Sequence, residues 1–259
     1  MAVRQRSARN APGQHFLRSS RLAAEIVGDA GFEPGDLVVD IGAGTGVFTR
    51  ALLDAGAEVV AIERDPGLAR ELRRRFRSRR VLVVEDDARR WSWPLEPFSV
   101  VSNLPFAGSG AILGSLLRDP RRGVRQADVI VQWELAEKQA AVWPATMRAT
   151  YWRAWFDIAI VRRLARTAFS PPPTVDAAVL RFVRRRPLVS PDEHARYRAV
   201  LADAFRAQAP LRHALRGLLT PRELRRLATL LGFDPRSRAR DLDATQWAGL
   251  FGHMRRVGR

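Results

Sequence analysis

The sequence predicts an α/β fold in which helices cover both faces of a mostly parallel sheet, followed by a small all-α C-terminal part. Short apolar runs alternate with segments of helical periodicity from residue 37 to residue 133, as expected for parallel strands joined by helices. The first of these runs, Leu37 to Ile41, ends at glycines, which is typical of a buried parallel strand. After Arg186 and Pro187 the pattern becomes helical.

Seven strands and the helices between them follow in order. The predicted strands are residues 37–41, 58–63, 81–84, 98–102 and 129–133, with 155–162 and 177–183 as a closing antiparallel pair around the turn-rich sequence FSPPPTV. The predicted helices of the body are 47–54, 66–76 and 112–117. In the C-terminal part, helices are predicted at 191–207, 221–231 and 244–254, with Ser190, Thr220 and Asp243 as their N-caps.

The charge of the chain is strongly positive and uneven. The 259 residues include 44 Lys+Arg and 27 Asp+Glu, a net charge of +17, and Lys138 is the single lysine. From Arg184 to Arg259 there are 17 arginines and 7 acidic residues, a local net charge of +10. Such a charge attracts phosphate backbones or anionic membranes. We therefore predict an α/β body at 1–183, with a flexible basic arm at about 1–12, and a small basic helical domain at 184–259 that binds a polyanion.

Several classes of protein are excluded by composition. The hydrophobic fraction of 46% is enough for a substantial core, which argues against wholesale disorder. Because the chain has no cysteine, disulfides and thiolate metal sites are excluded. No apolar run approaches the roughly 18 residues of a membrane span, and residues 1–10 are too polar for a secretory signal. We expect a cytoplasmic protein with no membrane partner.

A glycine-rich loop follows the first strand. The sequence Asp40-Ile-Gly-Ala-Gly-Thr-Gly46 has the spacing G-x-G-x-G, and the position that completes a dinucleotide fingerprint is Val47. The Gly-Lys-Ser/Thr of a P-loop is absent from the sequence. This spacing favours a ligand that brings no pyrophosphate to the loop. A tight turn without a ligand is the alternative for the loop alone.

Acidic residues end the next two strands. Glu63 is placed to accept hydrogen bonds from both hydroxyls of a ribose. The run Glu85-Asp86-Asp87 is placed to accept from the exocyclic amine of an adenine, although any one of these acids could instead belong to a solvated turn. Because the carboxyl ends of parallel strands share one edge of a sheet, the loop and the acids together predict a nucleoside pocket there.

The fourth strand ends in Asn103-Leu104-Pro105-Phe106. An amino group that attacks an electrophilic methyl needs acceptors for its two hydrogens, and the Asn103 side-chain oxygen and the Leu104 carbonyl can supply them. Pro105 fixes the backbone and removes a competing donor, and Phe106 offers a face to a flipped base. The alternative is an Asn-x-Pro turn with Phe106 in the core.

These motifs resemble those of a known family. DIGAGTG, the sequence Ala61 to Asp65, Asp87-Ala88 and NLPF are similar to the ordered motifs of S-adenosylmethionine-dependent adenine-N6 methyltransferases. Gly13 to Leu17 and Phe169 to Asp176 resemble the ribosomal RNA branch, which joins the Erm macrolide-resistance methyltransferases and the small-subunit dimethyladenosine transferases. The resemblance implies a Rossmann-like class I methyltransferase with a mostly parallel seven-stranded sheet, S-adenosyl-L-methionine as cofactor, and no metal.

The resemblance also implies roles for individual residues. Gln14, His15 and Leu17 would close over the methionine end of the cofactor, and Gly42, Ala43 and Gly44 would line its backbone. Glu63 would hold the ribose, with Arg64 beside the adenine, and Asp87, followed by Ala88, would contact the adenine amine. Asn103 would contact both cofactor and target, and Phe106 and Phe169 would sandwich the target adenine. His15 stands where the family usually has Asn, and Phe106 where it often has Tyr.

The Erm branch matches better than the small-subunit branch. Residues 132–147, 152–156 and 244–251 resemble Erm proteins, whereas 209–216 is a poor match to the basic Arg-Arg-Lys-Thr-like segment of the small-subunit enzymes. The implied substrate is 23S rRNA, protein-free or partly assembled, at the adenine of the peptidyl-transferase loop whose methylation blocks macrolides, lincosamides and streptogramin B. A 16S rRNA dimethyltransferase and a non-catalytic RNA-binding assembly factor are the alternatives. We expect a monomer.

The arginines are candidate phosphate contacts. For any single arginine a solvated surface charge is the alternative, but the set as a whole favours binding to RNA phosphates. The candidates are Arg4, Arg6, Arg9, Arg121, Arg122, Arg125, Arg162, Arg163, Arg166, Arg184, Arg185 and Arg186.

Overall fold

A computed structural model of the protein describes residues 15–78 and 80–258. Its strands are β1 (Phe16–Leu17), β2 (Leu37–Ile41), β3 (Glu58–Glu63), β4 (Val81–Glu85), β5 (Phe98–Asn103), β6 (Val124–Gln132), β7 (Phe156–Leu164), β8 (Phe169–Ser170) and β9 (Ala177–Arg184). Its helices are α1 (Ser20–Asp29), α2 (Val47–Asp54), α3 (Pro66–Arg75), α4 (Ser109–Leu116), α5 (Trp133–Ala140), α6 (Met147–Arg153), α7 (His194–Arg206), α8 (Leu211–Ala214), α9 (Pro221–Leu231) and α10 (Ala244–Arg256).

Seven of the described strands form one sheet, in the order β4-β3-β2-β5-β6-β9-β7. The first five are parallel, and β9 runs antiparallel to both of its neighbours. The prediction of a mostly parallel seven-stranded sheet with a closing antiparallel pair is therefore confirmed. Because β2 to β5 are parallel neighbours, the glycine loop, the acidic strand ends and Asn103 all reach the same edge of the sheet.

Some of the observed elements begin at other residues than the sequence predicts. β6 begins at Val124, five residues earlier than predicted, because its first part includes polar residues that still pair with β9, such as Gln126 with Val183. Trp133, predicted as a strand end, begins α5. Thr220 and Asp243 cap their helices with side-chain hydrogen bonds, as predicted. The prediction for Ser190 is wrong, because it precedes a short 3-10 turn and its side chain makes no capping hydrogen bond.

A small second sheet connects two distant parts of the chain. β1 pairs antiparallel with β8, so that Leu17 lies opposite Phe169 and Phe16 lies opposite Ser170. The sequence did not predict this pairing, because strands of two residues carry no periodicity. The pairing holds the segment that begins at His15 against the segment that contains Phe169.

The C-terminal helices share a core with the body. The ring of Tyr197 in α7 contacts the rings of Trp155 and Phe251, with centroids 5.9 and 5.2 Å apart, and Trp155 also contacts Tyr151 of α6 at 5.0 Å. All four aromatic side chains are buried in one hydrophobic cluster. The division into a body and a helical domain near residue 184 remains a prediction, and the packing on the two sides of it is continuous. None of the described helices is both long and apolar enough to cross a bilayer.

Candidate active site

The glycine loop brings the backbone close to two other parts of the site. Gly42 and Gly44 have positive φ values of 66° and 54°, a region that disfavours residues with a Cβ. A Cβ at Gly42 would lie 3.0 Å from Pro105 Cδ, and one at Gly44 would lie 2.6 Å from Phe16 Cε1. The loop therefore packs against the Asn103–Phe106 segment on one side and against β1 on the other.

Glu63 is held at the floor of the cavity by backbone donors. Its carboxylate is only 4% exposed. It accepts hydrogen bonds from the Gly44 N–H to Oε2 and from the Asp65 N–H to Oε1, both at 2.9 Å. Because each carboxylate oxygen can accept two hydrogen bonds, both keep capacity for a further donor such as a ribose hydroxyl.

A second buried carboxyl, Asp40, lies behind the glycine loop. It is 1% exposed, and the Thr49 hydroxyl donates to its Oδ2 at 2.7 Å. Burial, with a smaller contribution from the charge of Glu63, raises the pKa of Asp40 to about 7 despite the opposing effect of the Thr49 hydrogen bonds. The loop is thus supported by an acid that titrates near neutrality.

Asp87 is engaged by an arginine at the opposite end of the cavity. Arg89 donates from Nε to both carboxylate oxygens at 2.9 Å and also pairs through Nη2. These hydrogen bonds lower the pKa of Asp87 to about 2, so it is an acceptor-only carboxylate at neutral pH. Arg64 also lines this cavity.

The orientation of the Asn103 amide is fixed by its donor end. Asn103 Nδ2 donates to the His15 carbonyl oxygen at 2.7 Å. Because a carbonyl can only accept, this bond assigns the nitrogen and leaves Oδ1 on the other side. Oδ1 is buried and has no hydrogen-bond partner among the described residues. A buried acceptor without a donor is unfavourable by about 1–3 kcal/mol, so this atom is suited to a donor that arrives with a ligand.

The segment after Asn103 is fixed by neighbours. The Leu104 N–H donates to the Ile130 carbonyl at 3.1 Å, and the Ser109 hydroxyl donates to the Pro105 carbonyl at 2.7 Å. Pro105 itself packs on Gly42. The backbone on both sides of the free Asn103 oxygen is therefore held in place.

Two adjoining cavities occupy this edge of the sheet. The larger has an open volume of about 830 Å³, and the smaller has about 290 Å³. The larger is lined by these predicted residues: His15, Gly42, Gly44, Glu63, Arg64, Asp87, Ala88, Asn103, Leu104 and Pro105. The smaller is lined by Leu17 and Ala43 among others, and Phe16, Gly42 and Asn103 line both. The chain could thus hold a nucleoside in the larger cavity and an amino-acid end in the smaller one.

The predicted aromatic sandwich is absent from the structure. The rings of Phe106 and Phe169 contact each other edge to face, with centroids 5.8 Å apart. A base stacked between two rings needs about twice a van der Waals spacing of roughly 3.5 Å, so it does not fit between these rings. Phe169 is fully buried, and the other side of Phe106 contacts the His15 ring at 5.2 Å. Stacking of a base on Phe106 therefore requires a neighbouring ring to move.

His15 connects three parts of the site. Its carbonyl accepts from Asn103, its ring contacts Phe106, and its Nδ1 lies 2.8 Å from the Pro171 carbonyl oxygen. Because that oxygen only accepts, the Nδ1 atom carries the proton. Gln14, the neighbouring residue in the prediction, lies outside the described residues.

Two predicted phosphate contacts have structural roles instead. Arg184 donates to the carbonyls of Pro120, Arg122 and Val124 and lies over the Phe156 ring. Arg122 donates to the Ser115 and Leu116 carbonyls at the end of α4. Burial lowers the pKa of both guanidinium groups. Their local sequence could not show this, because the acceptors come from other elements.

The other candidate arginines differ in their partners. Arg121 pairs with Asp119, Arg125 with Asp36, Arg162 with Glu25 and Asp29, Arg163 with Asp176, and Arg185 with Asp157. Within the described part of the chain, Arg166 and Arg186 are exposed and make no side-chain ion pair. Arg4, Arg6 and Arg9 lie outside the described residues.

Some residues of the site were not predicted. Phe16 lines both cavities and packs on Gly44, and Ile112 of α4 lines the larger cavity. Arg89 lines it as well. The need for a residue without a Cβ at position 44 indicates a close neighbour, but the sequence around Gly44 does not identify Phe16 as that neighbour. No group of three acidic or histidine side chains suited to a metal ion occurs in residues 15–78 and 80–258.

The sheet order and the cavities at its carboxyl edge define a Rossmann-like class I methyltransferase. Comparison of sequences gives the family: the chain belongs to the ribosomal RNA adenine dimethylase family, whose model matches residues 5–255. Relatives include an rRNA adenine N-6-methyltransferase of Bacillus licheniformis, 32% identical over 95% of this chain and 86% of the relative. Another is ribosomal RNA small subunit methyltransferase A of Thermosynechococcus vestitus, 35% identical over 96% of this chain and 98% of the relative.

A solved structure also matches nearly the whole chain. The crystal structure of 23S rRNA methyltransferase ErmE superimposes with a TM-score of 0.79 and 26% sequence identity. The match covers 93% of this chain and 99% of that one, so it includes the C-terminal helices as well as the sheet.

Asp40→Asn should change how stability depends on pH. The folded-state pKa of about 7 lies above the ordinary value of 3.8. The stability contributed by the neutral acid is therefore fully present below the ordinary pKa and is lost as pH rises through about 7. Asparagine does not titrate, so the variant should gain up to about 4 kcal/mol relative to the parent protein over this range.

Urea unfolding between about pH 4 and pH 8 measures this difference. Asp54→Asn is the matched control, because it removes an exposed carboxyl from the adjoining helix α2. A constant difference between Asp40→Asn and the parent protein at every pH would contradict the burial argument.

Proposed function

We propose that the protein transfers a methyl group from S-adenosyl-L-methionine to N6 of one adenine in the peptidyl-transferase loop of 23S rRNA. Ribosomes that contain the modified RNA would resist macrolides, lincosamides and streptogramin B. The observation that carries the activity is the buried, unpartnered Oδ1 of Asn103, a residue that lines both cavities.

The residues present fit the proposed cofactor. Glu63 would accept from the ribose hydroxyls, and Asp87 would accept from the adenine amine. Arg64 would lie beside the adenine, and Leu17 and Ala43 would enclose the methionine end in the smaller cavity. When bound, S-adenosylmethionine supplies an electrophilic methyl group on its sulfonium.

The chain's contribution to the chemistry is placement and charge stabilisation. Asn103 Oδ1 would accept one hydrogen of the target amine, and the Leu104 carbonyl would accept the other. Two acceptors favour a tetrahedral nitrogen, whose lone pair is then available instead of being delocalised into the ring. The same oxygens would stabilise the positive charge that develops on N6 as the new bond forms. Holding the amine in line with the methyl group supplies the remainder of the rate acceleration.

The choice of 23S rRNA rests on particular segments. Relatives named for either type of rRNA activity match the chain at similar identity. Residues 132–147 and 244–251 resemble Erm proteins, and the segment 209–216 lacks the basic sequence of the small-subunit enzymes. We propose that the protein acts as a monomer on protein-free or partly assembled large-subunit RNA.

Asn103→Ala should abolish turnover and leave cofactor binding nearly intact. The variant loses the acceptor for the target amine, and we expect kcat to fall by about 10²–10³-fold. Single-turnover methylation measures the rate, and calorimetric titration with S-adenosylhomocysteine measures cofactor binding.

Asn103→Asp tests the acceptor oxygen of the amide separately from its donor nitrogen. Aspartate keeps an acceptor oxygen but loses the donor to the His15 carbonyl. We expect it to retain clearly more activity than Asn103→Ala. Equal activity of the two variants would mean that the reaction requires the hydrogen bond to the His15 carbonyl and not the acceptor oxygen of Asn103.

The target is tested by methyl transfer from labelled S-adenosylmethionine to protein-free 23S and 16S rRNA, followed by primer extension. We expect one modified adenine in the peptidyl-transferase loop and none in 16S rRNA. Modification of 16S rRNA alone would establish the small-subunit alternative. Binding of RNA without any methyl transfer would favour a non-catalytic assembly factor.

A further inference from the structure

A separate cavity lies between the loop that joins α5 to α6 and the C-terminal helices. It has an open volume of about 650 Å³ and is lined by Ala145 of that loop, Phe205 and Gln208 from the end of α7, and Arg238 and Arg240 from the segment before α10.

The charge of this cavity comes from two unpaired arginines. Arg238 and Arg240 are exposed, and neither guanidinium forms an ion pair with any described residue. The nearby carboxylate of Asp241 accepts from the Arg238 backbone N–H at 2.7 Å, and Asp203 of α7 pairs with Arg206 at 2.8 Å. Two free guanidinium groups in one concave site favour a phosphate group.

An aromatic side chain forms another wall. Phe205 is half-buried, and its ring lies 6.1 Å from the buried ring of Trp247, inclined by 30°. One side of Phe205 is thus supported by the core while the residue still lines the cavity. A supported aromatic ring beside positive charge is the combination that binds a nucleobase and its phosphate together.

Gln208 has an unusual backbone for its type. Its φ is +48°, and it is the one non-glycine residue with positive φ in the described part of the chain. It follows the last turn of α7, where glycine is the usual choice because other residues are strained in this conformation. A glutamine at this position lowers the stability of the fold. Gln208 also lines the cavity, and a glutamine amide can both donate to and accept from a base edge.

The cavity is connected to the active site by one short segment. The Ala145 N–H donates to the Arg240 carbonyl at 2.8 Å. Arg148, three residues later, donates to the Gly110 carbonyl at 2.9 Å. Gly110 lies in the first turn of α4, and Gly108 just before it lines the active-site cavity. The exposed side chain of Trp143 belongs to the same segment.

We propose that this cavity binds a nucleotide of the RNA strand that carries the target adenine. Arg238 and Arg240 hold its phosphate, Phe205 contacts its base, and Gln208 hydrogen-bonds the base edge. The cavity thereby positions the strand so that the adenine reaches Asn103. The proposal rests on the proposed function, because it takes RNA as the substrate.

The test compares two double variants of equal charge in the full-length protein. Arg238→Gln/Arg240→Gln removes the cavity charges. Arg222→Gln/Arg226→Gln removes two exposed arginines of α9 that do not line the cavity. The probe is a fluorescein-labelled, protein-free RNA fragment that contains the peptidyl-transferase loop, and binding is measured by anisotropy at several salt concentrations.

We expect the cavity variant to bind RNA at least about 10-fold more weakly and the control less than about threefold. The slope of log affinity against log salt should decrease by about 1 in the cavity variant, because the two arginines hold the same phosphate. The KM for RNA should rise, while cofactor affinity stays unchanged. Equal losses in the two double variants would overturn the proposal.

Gln208→Gly provides an independent test. The variant should have a higher melting temperature, because glycine relieves the strained backbone, and it should bind the RNA more weakly. Unchanged RNA binding at a higher melting temperature would contradict a role in the site. If the parent protein methylates the RNA but these variants fail to behave as expected, the cavity proposal alone is wrong. If the parent protein neither binds nor methylates any rRNA, the proposed function fails as well.

Discussion

The hydrogen bond from Asn103 Nδ2 to the His15 carbonyl determines how the site is arranged. It joins the end of β5 to the segment that enters β1, and β1 in turn pairs with β8. It also orients the amide, so that the buried oxygen is left without a partner among the described residues. If this bond were absent, the amide could rotate and the segment at His15 would lose one of its contacts with the main sheet. One side chain therefore links two distant segments and leaves an acceptor available for the proposed reaction.

Electrostatics divides the site into two parts. Glu63 and Asp87 are negative groups held by backbone donors and by Arg89, and they face the cavity where a nucleoside would bind. The strong positive charge of the chain lies elsewhere, and part of it serves the fold, as Arg184 shows with its three carbonyl acceptors. The arginines that remain unpaired, such as Arg238 and Arg240, are the ones available to a phosphate backbone. A net charge of +17 therefore indicates the kind of partner but does not locate the contacts.

The sequence predicted features that local chemistry determines. The bounds of β2 and β3 were correct, and the glycine loop, Glu63 and Asn103 do meet at one edge of the sheet. Features that depend on distant partners were missed. Phe16 packs on Gly44, Arg184 donates to the Pro120 and Val124 carbonyls, and the rings of Phe106 and Phe169 contact each other instead of leaving space for a base. Each of these is decided by residues far away in the chain, so no local pattern could indicate it.

The most direct test of the central claim is a double-mutant cycle between Asn103 and the target amine. RNA with adenosine or purine riboside at the target position, the latter lacking the exocyclic amine, is bound to the parent protein and to Asn103→Ala in the presence of S-adenosylhomocysteine. We predict that loss of the amine weakens binding by the parent protein and barely affects the variant, with a coupling energy of about 1–3 kcal/mol. Additive effects, with no coupling, would contradict the claim that Asn103 Oδ1 accepts a hydrogen from the base.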